Sequence, residues 1–298
     1  MNELLGNPVA LTVLPPFAAG LLLGVLAWLS GGNRVVMAVA WGLGMLLVYW
    51  LLEGVPAFPP AAAKQKLGYL LLAAVPLGAL FATLPVKSAW SWLAIDLPLT
   101  AALLWLGWNK LASGENPGLM LIALVLAALL GIALLVADSL LKATPVEKWP
   151  ELPFLVPAAW MLTAIAGSVV AATGLFLGMA QMLGALAALL GGALLVNFLS
   201  LVVTGRGFET VGRTGGFAVG FAVSCANLLT LLLGPSPSFL ALLVLATCPL
   251  MSLAVLKWAS NWLPAAAFLR PILAGVVIAI PAIIASLIAV LTGTSPFV

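Results

Sequence analysis

The chain has 298 residues, of which 64% are hydrophobic and only 6% are charged, and its formal net charge is +3. Soluble domains carry roughly a quarter charged residues, so the composition excludes a water-soluble globular protein. The positive charges are spread over short connections without a basic run, which excludes nucleic acid as a partner.

Apolar runs of about twenty residues recur along the whole chain, and this is the length that a helix needs to cross a bilayer. A β-barrel would show alternating segments of about ten residues instead. The sequence therefore predicts an all-α integral membrane protein, surrounded by the lipid bilayer, with about ten transmembrane helices. In chain order, the predicted spans are 9–31, 35–53, 67–84, 88–108, 117–139, 153–173, 177–203, 215–233, 238–257 and 270–292.

Lysine and arginine are distributed unevenly between the connections, which are numbered by the helix that precedes each one. The odd connections hold eight of them, whereas the N-tail, the even connections and the C-tail hold three. Positive residues stay in the cytoplasm, so both termini are predicted to be non-cytoplasmic, in an inner (plasma) membrane. The eight are Arg34, Lys87, Lys142, Lys148, Arg206, Arg213, Lys257 and Arg270, and the three are Lys64, Lys66 and Lys110.

Prolines recur at similar places when the chain is shifted against itself by about half of its length. PLTAALLWLGWNKL, from Pro98, aligns with PLMSLAVLKWASNWL, from Pro249. The pattern predicts a duplication of five helices, residues 1–149 and 150–298, within one membrane domain. Because five is odd, the second half would be inverted, and the binding site would lie at midplane between the halves. Unrelated helices of similar composition are the alternative.

The fourth predicted span, SAWSWLAIDLPLTAALLWLGW, contains a carboxylate, Asp96, and a proline, Pro98. A charged aspartate at that depth costs roughly 2.5–3.5 kcal/mol, so Asp96 is expected to face protein, a partner or water. Pro98 lacks an amide hydrogen and clashes with the carbonyl four residues earlier, which favours a broken helix. An acid beside a broken helix is what an ion or proton site needs. A hydrogen bond to a neighbouring helix and a structural proline are the alternatives.

Other residues inside the predicted spans are candidates for the same transport or ion-binding site. Three carry amide side chains, which also commonly join membrane helices at under about 1 kcal/mol each, so that is their alternative role. The fourth is a proline at the repeat-related position in span nine. These candidates are Gln181, Asn197, Asn227 and Pro249.

The connection TGRGFETVGRTGG, residues 204–216, carries three charged candidates, Arg206, Glu209 and Arg213. On the cytoplasmic side they would form a turn that contacts lipid headgroups or an anionic solute. From Gly207 the connection reads G-x-x-x-x-G-R-T. A phosphate-binding loop needs lysine in place of this arginine and a strand before the loop, so nucleotide binding is not expected.

The chain has two cysteines and no histidine. There is therefore no imidazole ligand for haem, copper or zinc and no histidine general base, and neither a cofactor nor a metal is predicted. No catalytic constellation is visible, so a membrane enzyme, for example one that acts on lipid, is the third hypothesis.

In helix number and duplication, the predicted architecture resembles that of the drug/metabolite transporters, although these place both termini in the cytoplasm. It is also similar to the auxin-efflux-carrier-like and bile-acid-symporter-like folds, in which helices four and nine are broken and cross at midplane. Pro98 and Pro249 fall in those two helices. This resemblance implies a crossing of two broken helices near the middle of the membrane.

The leading hypothesis is a secondary transporter, or permease, of a small solute, coupled to H⁺ or Na⁺ through Asp96. The alternative is a non-catalytic subunit or assembly factor of an inner-membrane protein complex, because few polar residues lie inside the spans. A larger membrane complex or a second copy of the chain is therefore an expected partner. The sequence does not specify the solute or the coupling ion.

Overall fold

The computed structural model describes residues 8–60, 62–83, 90–113, 116–143, 151–258, 262–264, 266 and 268–293. Within these ranges the chain forms helices and no strand. The helices are α1 (Pro8–Ser30), α2 (Arg34–Glu53), α3 (Ala63–Thr83), α4 (Trp90–Ala112), α5 (Pro117–Ala143), α6 (Leu152–Thr173), α7 (Leu177–Thr204), α8 (Gly212–Leu233), α9 (Phe239–Leu245), α10 (Met251–Lys257) and α11 (Leu269–Thr292). A 3₁₀ turn, Cys248–Leu250, lies between α9 and α10.

Eight segments of the described chain are long and apolar enough to cross a membrane. They are α1, α2, α5, α6, α7, α8, α11 and the segment Phe239–Lys257, which contains α9 and α10. The prediction of an all-α, multi-pass membrane protein is therefore confirmed. Helices α3 and α4 overlap in sequence with two further predicted spans, 67–84 and 88–108, but are not among the eight segments.

Asparagine and glycine residues set several of the helix ends. Oδ1 of Asn33 accepts hydrogen bonds from two amides in the first turn of α2, at 3.1 and 3.3 Å. Oδ1 of Asn116 accepts one from the first turn of α5, at 3.1 Å. These bonds satisfy amides that have no partner inside the helix. Gly205 ends α7 in the left-handed region, with φ of 71°, which a residue with a side chain rarely adopts.

Internal prolines are common in these helices, and the helices continue through them. A break in the described chain coincides with a proline at Pro249, between α9 and α10. Five helices continue through prolines, namely Pro15 and Pro16, Pro76, Pro98, Pro157 and Pro281. The expectation of a broken helix at Pro98 is therefore wrong. Membrane helices tolerate proline because neighbouring groups satisfy the freed carbonyl. At Pro249 the α-helix is interrupted, since the chain there tightens into the 3₁₀ turn.

Helix α8 forms the centre of the bundle. Every residue from Thr214 to Leu232 is buried, and helices α2 to α7 and α9 all pack against it. A helix that is apolar on all sides is expected in such an enclosed position. Two glycines, Gly216 and Gly220, let large side chains of α5 and α6 approach its backbone. The core of the protein is therefore organised around one helix of the second half.

Helices α1 and α7 approach each other through glycine. A Cβ atom on Gly20 would collide with the carbonyl oxygen of Leu189, and one on Gly192 would collide with that of Phe17. Further along both helices, Gly24 faces Val196. Small residues at such contacts are a main source of helix association in membranes. The pairing runs in the same direction along both helices, so α1 and α7 are parallel.

Contacts between the connections define two faces of the bundle. We call one the odd-loop face, because it joins connections that are odd in the numbering of the ten predicted spans, together with the helix ends beside them. The pairs there are Gly32 with Glu209, Asp138 with Arg213, and Glu151 with Arg270. We call the other the even-loop face. Its pairs are Glu53 with Gly178, Gly174 with Ser236, and Ser238 with Thr292.

Candidate functional site

Asp96 lies in α4 on the side that faces α5. Its side chain is half-buried, and Ile95 and Leu99 beside it are 0% and 1% exposed. Oδ1 is directed at Gly131 of α5, where a Cβ atom would collide with it. Among the described residues, the carboxylate has no hydrogen-bonding or charged partner. Asp96 is therefore an unpaired acid between two helices, next to a position that only glycine leaves open.

The broken helix is attached to α6 and α11 and does not cross α4. Sγ of Cys248 donates to the carbonyl oxygen of Ile278 at 3.2 Å, and Oγ of Ser252 donates to that of Leu155 at 3.3 Å. Within the described part of the chain, both α4 and the broken helix pack on α5 and α8, and no extensive contact joins the two. Since α4 is also continuous, the expected crossing of two broken helices at midplane is not formed.

Asn197 organises the connection between α7 and α8. Its Nδ2 donates to the carbonyl oxygen of Phe208 at 2.8 Å and to Oγ1 of Thr210 at 2.6 Å. Its Oδ1 accepts a hydrogen bond from the amide of Phe208 at 2.8 Å. From α2, Nε1 of Trp41 donates to the carbonyl oxygen of Thr210 at 3.2 Å. The amide of Asn197 thus makes three of its four possible hydrogen bonds within the protein, and these hold the connection between α7 and α8 in place.

Arg213 forms an ion pair across the odd-loop face. Its Nε lies 2.9 Å from Oδ1 of Asp138, with exposed side-chain fractions of 13% and 8%. Arg213 is in the first turn of α8, and Asp138 is near the end of α5. Beside the pair, Glu209 and Thr214 line a small pocket of about 110 Å³. The charge of Arg213 is therefore balanced by Asp138, and its contact with a lipid headgroup or an anionic solute stays a prediction.

A second ion pair on the odd-loop face joins α11 to the start of α6. Nε of Arg270 lies 3.0 Å from Oε2 of Glu151, and Nη2 donates to Oε1 at 3.2 Å. Glu151 is fully buried, while the side chain of Arg270 is 17% exposed. This two-point contact compensates a carboxylate that would otherwise be very costly to bury.

Three buried polar atoms without partners among the described residues lie on α6 and α8. They are Nε1 of Trp160, Oγ of Ser224 and Oδ1 of Asn227. Trp160 abuts Gly220, Asn227 abuts Gly167, and Ser224 lies between Gly220 and Asn227 along α8. We call this contact between the two helices the α6–α8 seam. Buried polar atoms normally have partners, so three such atoms on two adjoining helices are unusual.

The sequence-predicted site residues do not converge on one place. Gln181 and Arg206 are exposed, Asn227 belongs to the α6–α8 seam, and Asp96 lies on the α4–α5 contact. Sequence reasoning missed Glu151, Trp160 and Ser224. Glu151 stands next to a predicted span, but nothing in the sequence indicates its distant partner. Comparison of the chain with protein-family models, curated proteins and solved structures finds no match.

Proposed function

We propose that this protein is a secondary transporter, or permease, of a small solute, coupled to H⁺ or Na⁺ through Asp96. The observation that carries the proposal is a half-buried carboxylate between α4 and α5 of a membrane protein, without a partner among the described residues. Ionisable residues inside membrane helices are costly and mark ion paths and proton relays. Gly131 supports this role, because it leaves the space that Oδ1 of Asp96 occupies.

We extend the proposal to ten transmembrane helices in a five-plus-five inverted repeat, residues 1–149 and 150–298. Helices α3 and α4 have 21 and 23 residues, and about twenty suffice to cross the hydrocarbon core. The α4–α5 contact has a counterpart in the α9–α11 contact. Other contacts differ between the halves, because α1 packs along α7 whereas α6 packs on α7 and α11. The site is therefore expected to be asymmetric.

We also propose that the odd-loop face is cytoplasmic and that both termini are non-cytoplasmic, in an inner (plasma) membrane. The excess of lysine and arginine in the odd connections supports this orientation. In this orientation the two buried ion pairs, Asp138 with Arg213 and Glu151 with Arg270, lie on the cytoplasmic side. Transport would then require that side to open and close around them.

The test is coupled flux in proteoliposomes. Purified protein is reconstituted with an internal pH indicator, and a panel of amino acids, organic acids, sugars and amides is added under imposed H⁺ or Na⁺ gradients. We expect at least one solute to change the internal pH, or to require Na⁺, with wild-type protein. Asp96→Asn should abolish the coupled signal, because it removes the charge at the α4–α5 contact while it keeps the side-chain size.

A matched pair of glycine variants controls for general damage. Gly131→Ala places a methyl group against Oδ1 of Asp96 and should also abolish coupling, whereas Gly275→Ala fills open space and should leave it intact. Wild-type flux in Asp96→Asn would remove Asp96 from the mechanism. If folded wild-type protein moves no solute of the panel, the transporter proposal loses its support.

A second candidate function is that of a non-catalytic subunit or assembly factor of a membrane complex. One observation favours it: an open apolar groove runs along α6 and α11, with small residues on the α11 side. These residues are Gly275, Ala279, Ala282 and Ser286. The two parts of the groove have volumes of about 460 and 290 Å³. Small residues permit close packing of another membrane helix.

This candidate is tested by purification in a mild detergent from the native membrane. A stoichiometric larger complex that is lost in Ala279→Phe would support it, because that side chain fills the groove. Leu121→Phe is the control, since Leu121 is exposed on α5, away from the groove. A clean monomer or homodimer would count against the subunit.

A further inference from the structure

We propose that the α6–α8 seam is a binding site, inside the membrane, for small uncharged molecules that form hydrogen bonds. Its contacts are Nε1 of Trp160, Oγ of Ser224 and Oδ1 of Asn227. Two ligands could occupy this site, a transported solute or water. Only the first of them rests on the proposed transport function.

Helical spacing and two glycine contacts place the three residues beside one another on α6 and α8. A Cβ atom on Gly220 would lie 2.6 Å from Cε2 of Trp160, the ring atom bonded to Nε1. Ser224 follows Gly220 by four residues, so both lie on the same side of α8. Asn227 lies at the other end, with its Oδ1 against Gly167 of α6. Trp160 and Gly167 are two helical turns apart, so the seam is about 10 Å long.

The three side chains are completely enclosed. Trp160 and Ser224 are 0% exposed, and Asn227 is 2% exposed. Outside the protein there is hydrocarbon rather than water, so no solvent compensates an unpaired polar atom. Buried polar groups in proteins and membranes therefore find a partner, which is often an ordered water molecule.

Neighbouring hydroxyl groups show that Ser224 has not taken the usual partner. Oγ1 of Thr163 donates to Ala159 at 2.8 Å, and Oγ1 of Thr230 donates to Ala226 at 3.0 Å, each to the carbonyl four residues earlier. Oγ of Ser224 makes no such bond among the described residues. This hydroxyl is therefore available to a ligand.

Asn227 also has one polar atom without a partner, because only the nitrogen of its amide group forms a hydrogen bond. Its Nδ2 donates to the carbonyl oxygen of Val223 at 2.9 Å. That bond leaves Oδ1 directed at α6, where Gly167 has no side chain that would collide with it. The oxygen is thus held in place, with its lone pairs facing the seam.

The atom types define the ligand. The indole nitrogen of Trp160 only donates, the amide oxygen of Asn227 only accepts, and the hydroxyl of Ser224 does both. A cation would be repelled by the N–H dipole, and an anion by the amide oxygen. The stretches 160–167 and 220–227 contain no charged residue. Water, a small alcohol or a small amide fits this set, and a buried water molecule needs only about 10–15 Å³.

Isosteric or smaller apolar substitutions test the site through stability. Ser224→Ala, Asn227→Leu and Trp160→Phe each remove one of the three atoms from the seam. If ligand is bound, each variant should lower the melting temperature of the detergent-solubilised protein by roughly 2–8 °C, because the ligand loses a hydrogen bond. If the seam is dry, Ser224→Ala removes only an unpaired atom, and the melting temperature of that variant should stay equal or rise.

Thr230→Val is the matched control, because its hydroxyl is already bonded within α8. We expect it to change the melting temperature less than Ser224→Ala does. Should Trp160→Phe fail to fold, Ser224→Ala, the smallest change, still decides. Equal or raised melting temperatures in Ser224→Ala and Asn227→Leu overturn the proposal.

Two further measurements separate the sources of ligand. X-ray radiolytic labelling oxidises side chains next to bound water, so labelling of Trp160 in wild type that falls in Asn227→Leu identifies water. Acetamide and glycerol, added to the purified protein, should raise the melting temperature of wild type and not of Asn227→Leu if a solute binds. If the protein shows no labelling of Trp160 and no thermal shift, the binding-site proposal is wrong. None of these readouts depends on flux, so transport can fail while the site stands.

Discussion

The odd-loop and even-loop faces of the bundle hold their charges in different ways. On the odd-loop face, Arg213 pairs with Asp138 75 residues away, and Arg270 pairs with Glu151 119 residues away. On the even-loop face, Lys64 pairs with Glu53 across one short connection, and its side chain is 52% exposed. Buried pairs hold distant helices together, whereas the exposed pair only joins two neighbouring helix ends.

The contrast between the ion pairs of the two faces indicates where charge contributes most to the stability of this fold. A buried ion that loses its partner is stranded without water, whereas an exposed ion is solvated at once. The odd-loop face should therefore respond strongly to single substitutions, and the even-loop face weakly. Three predictions test this contrast, in order of decreasing effect.

Glu151→Leu should cause the largest loss, since it removes the fully buried carboxylate that pairs with the guanidinium of Arg270. We expect the free energy of unfolding to fall by about 3–5 kcal/mol. Unfolding of the purified protein in detergent, followed by circular dichroism, measures it. The double variant Glu151→Leu with Arg270→Met should recover most of the loss, because it leaves no charge. A double variant as unstable as the single one would contradict the charge argument.

Asp138→Asn should have a smaller effect, because the amide oxygen still offers an acceptor to Nε of Arg213. Removal of the charge weakens a charge-assisted hydrogen bond, and we expect a loss of about 1.5–3 kcal/mol. The same unfolding assay applies. Ser139→Ala, an exposed neighbour on α5, serves as the control. No measurable loss would mean that Arg213 finds a different acceptor.

Glu53→Gln should have the smallest effect, at most about 1 kcal/mol, because exposed ion pairs are weak. Lys64→Met should behave in the same way, and added salt should reduce the difference from wild type further. If either variant destabilises the protein as much as Asp138→Asn does, the contrast between the two faces is wrong.

The sequence predicted the helices well, because the length of each apolar run and the polar residues at its ends determine a membrane helix locally. It also identified Asp96 as an unusual acid and Pro249 as a breaker. It failed at Pro98, since the cost of a proline depends on neighbours that the sequence does not reveal. The pair of Glu151 and Arg270 was not predictable, because the two residues are brought together only by the packing of α6 and α11.

The α6–α8 seam shows the same limit more sharply. Ser224 and Trp160 are ordinary residues in apolar runs, and their significance comes from atoms that they do not bond. Asn227 was a candidate from its residue type alone, yet its free atom is set by the bond from Nδ2 to Val223. A sequence reports which polar groups exist, whereas the fold determines which of them are left without a partner.

The central position of α8 has a consequence for the order of assembly during synthesis. Chains emerge from the ribosome N-terminus first, so α1 to α7 enter the membrane before the helix around which most of them pack. Until α8 arrives, Trp41 and Asn197 lack their bonds to Thr210, and Asp138 lacks Arg213. Helices α2 to α7 therefore gain their contacts with α8 only after all of them have entered the membrane. Their packing cannot be completed before α8 is inserted.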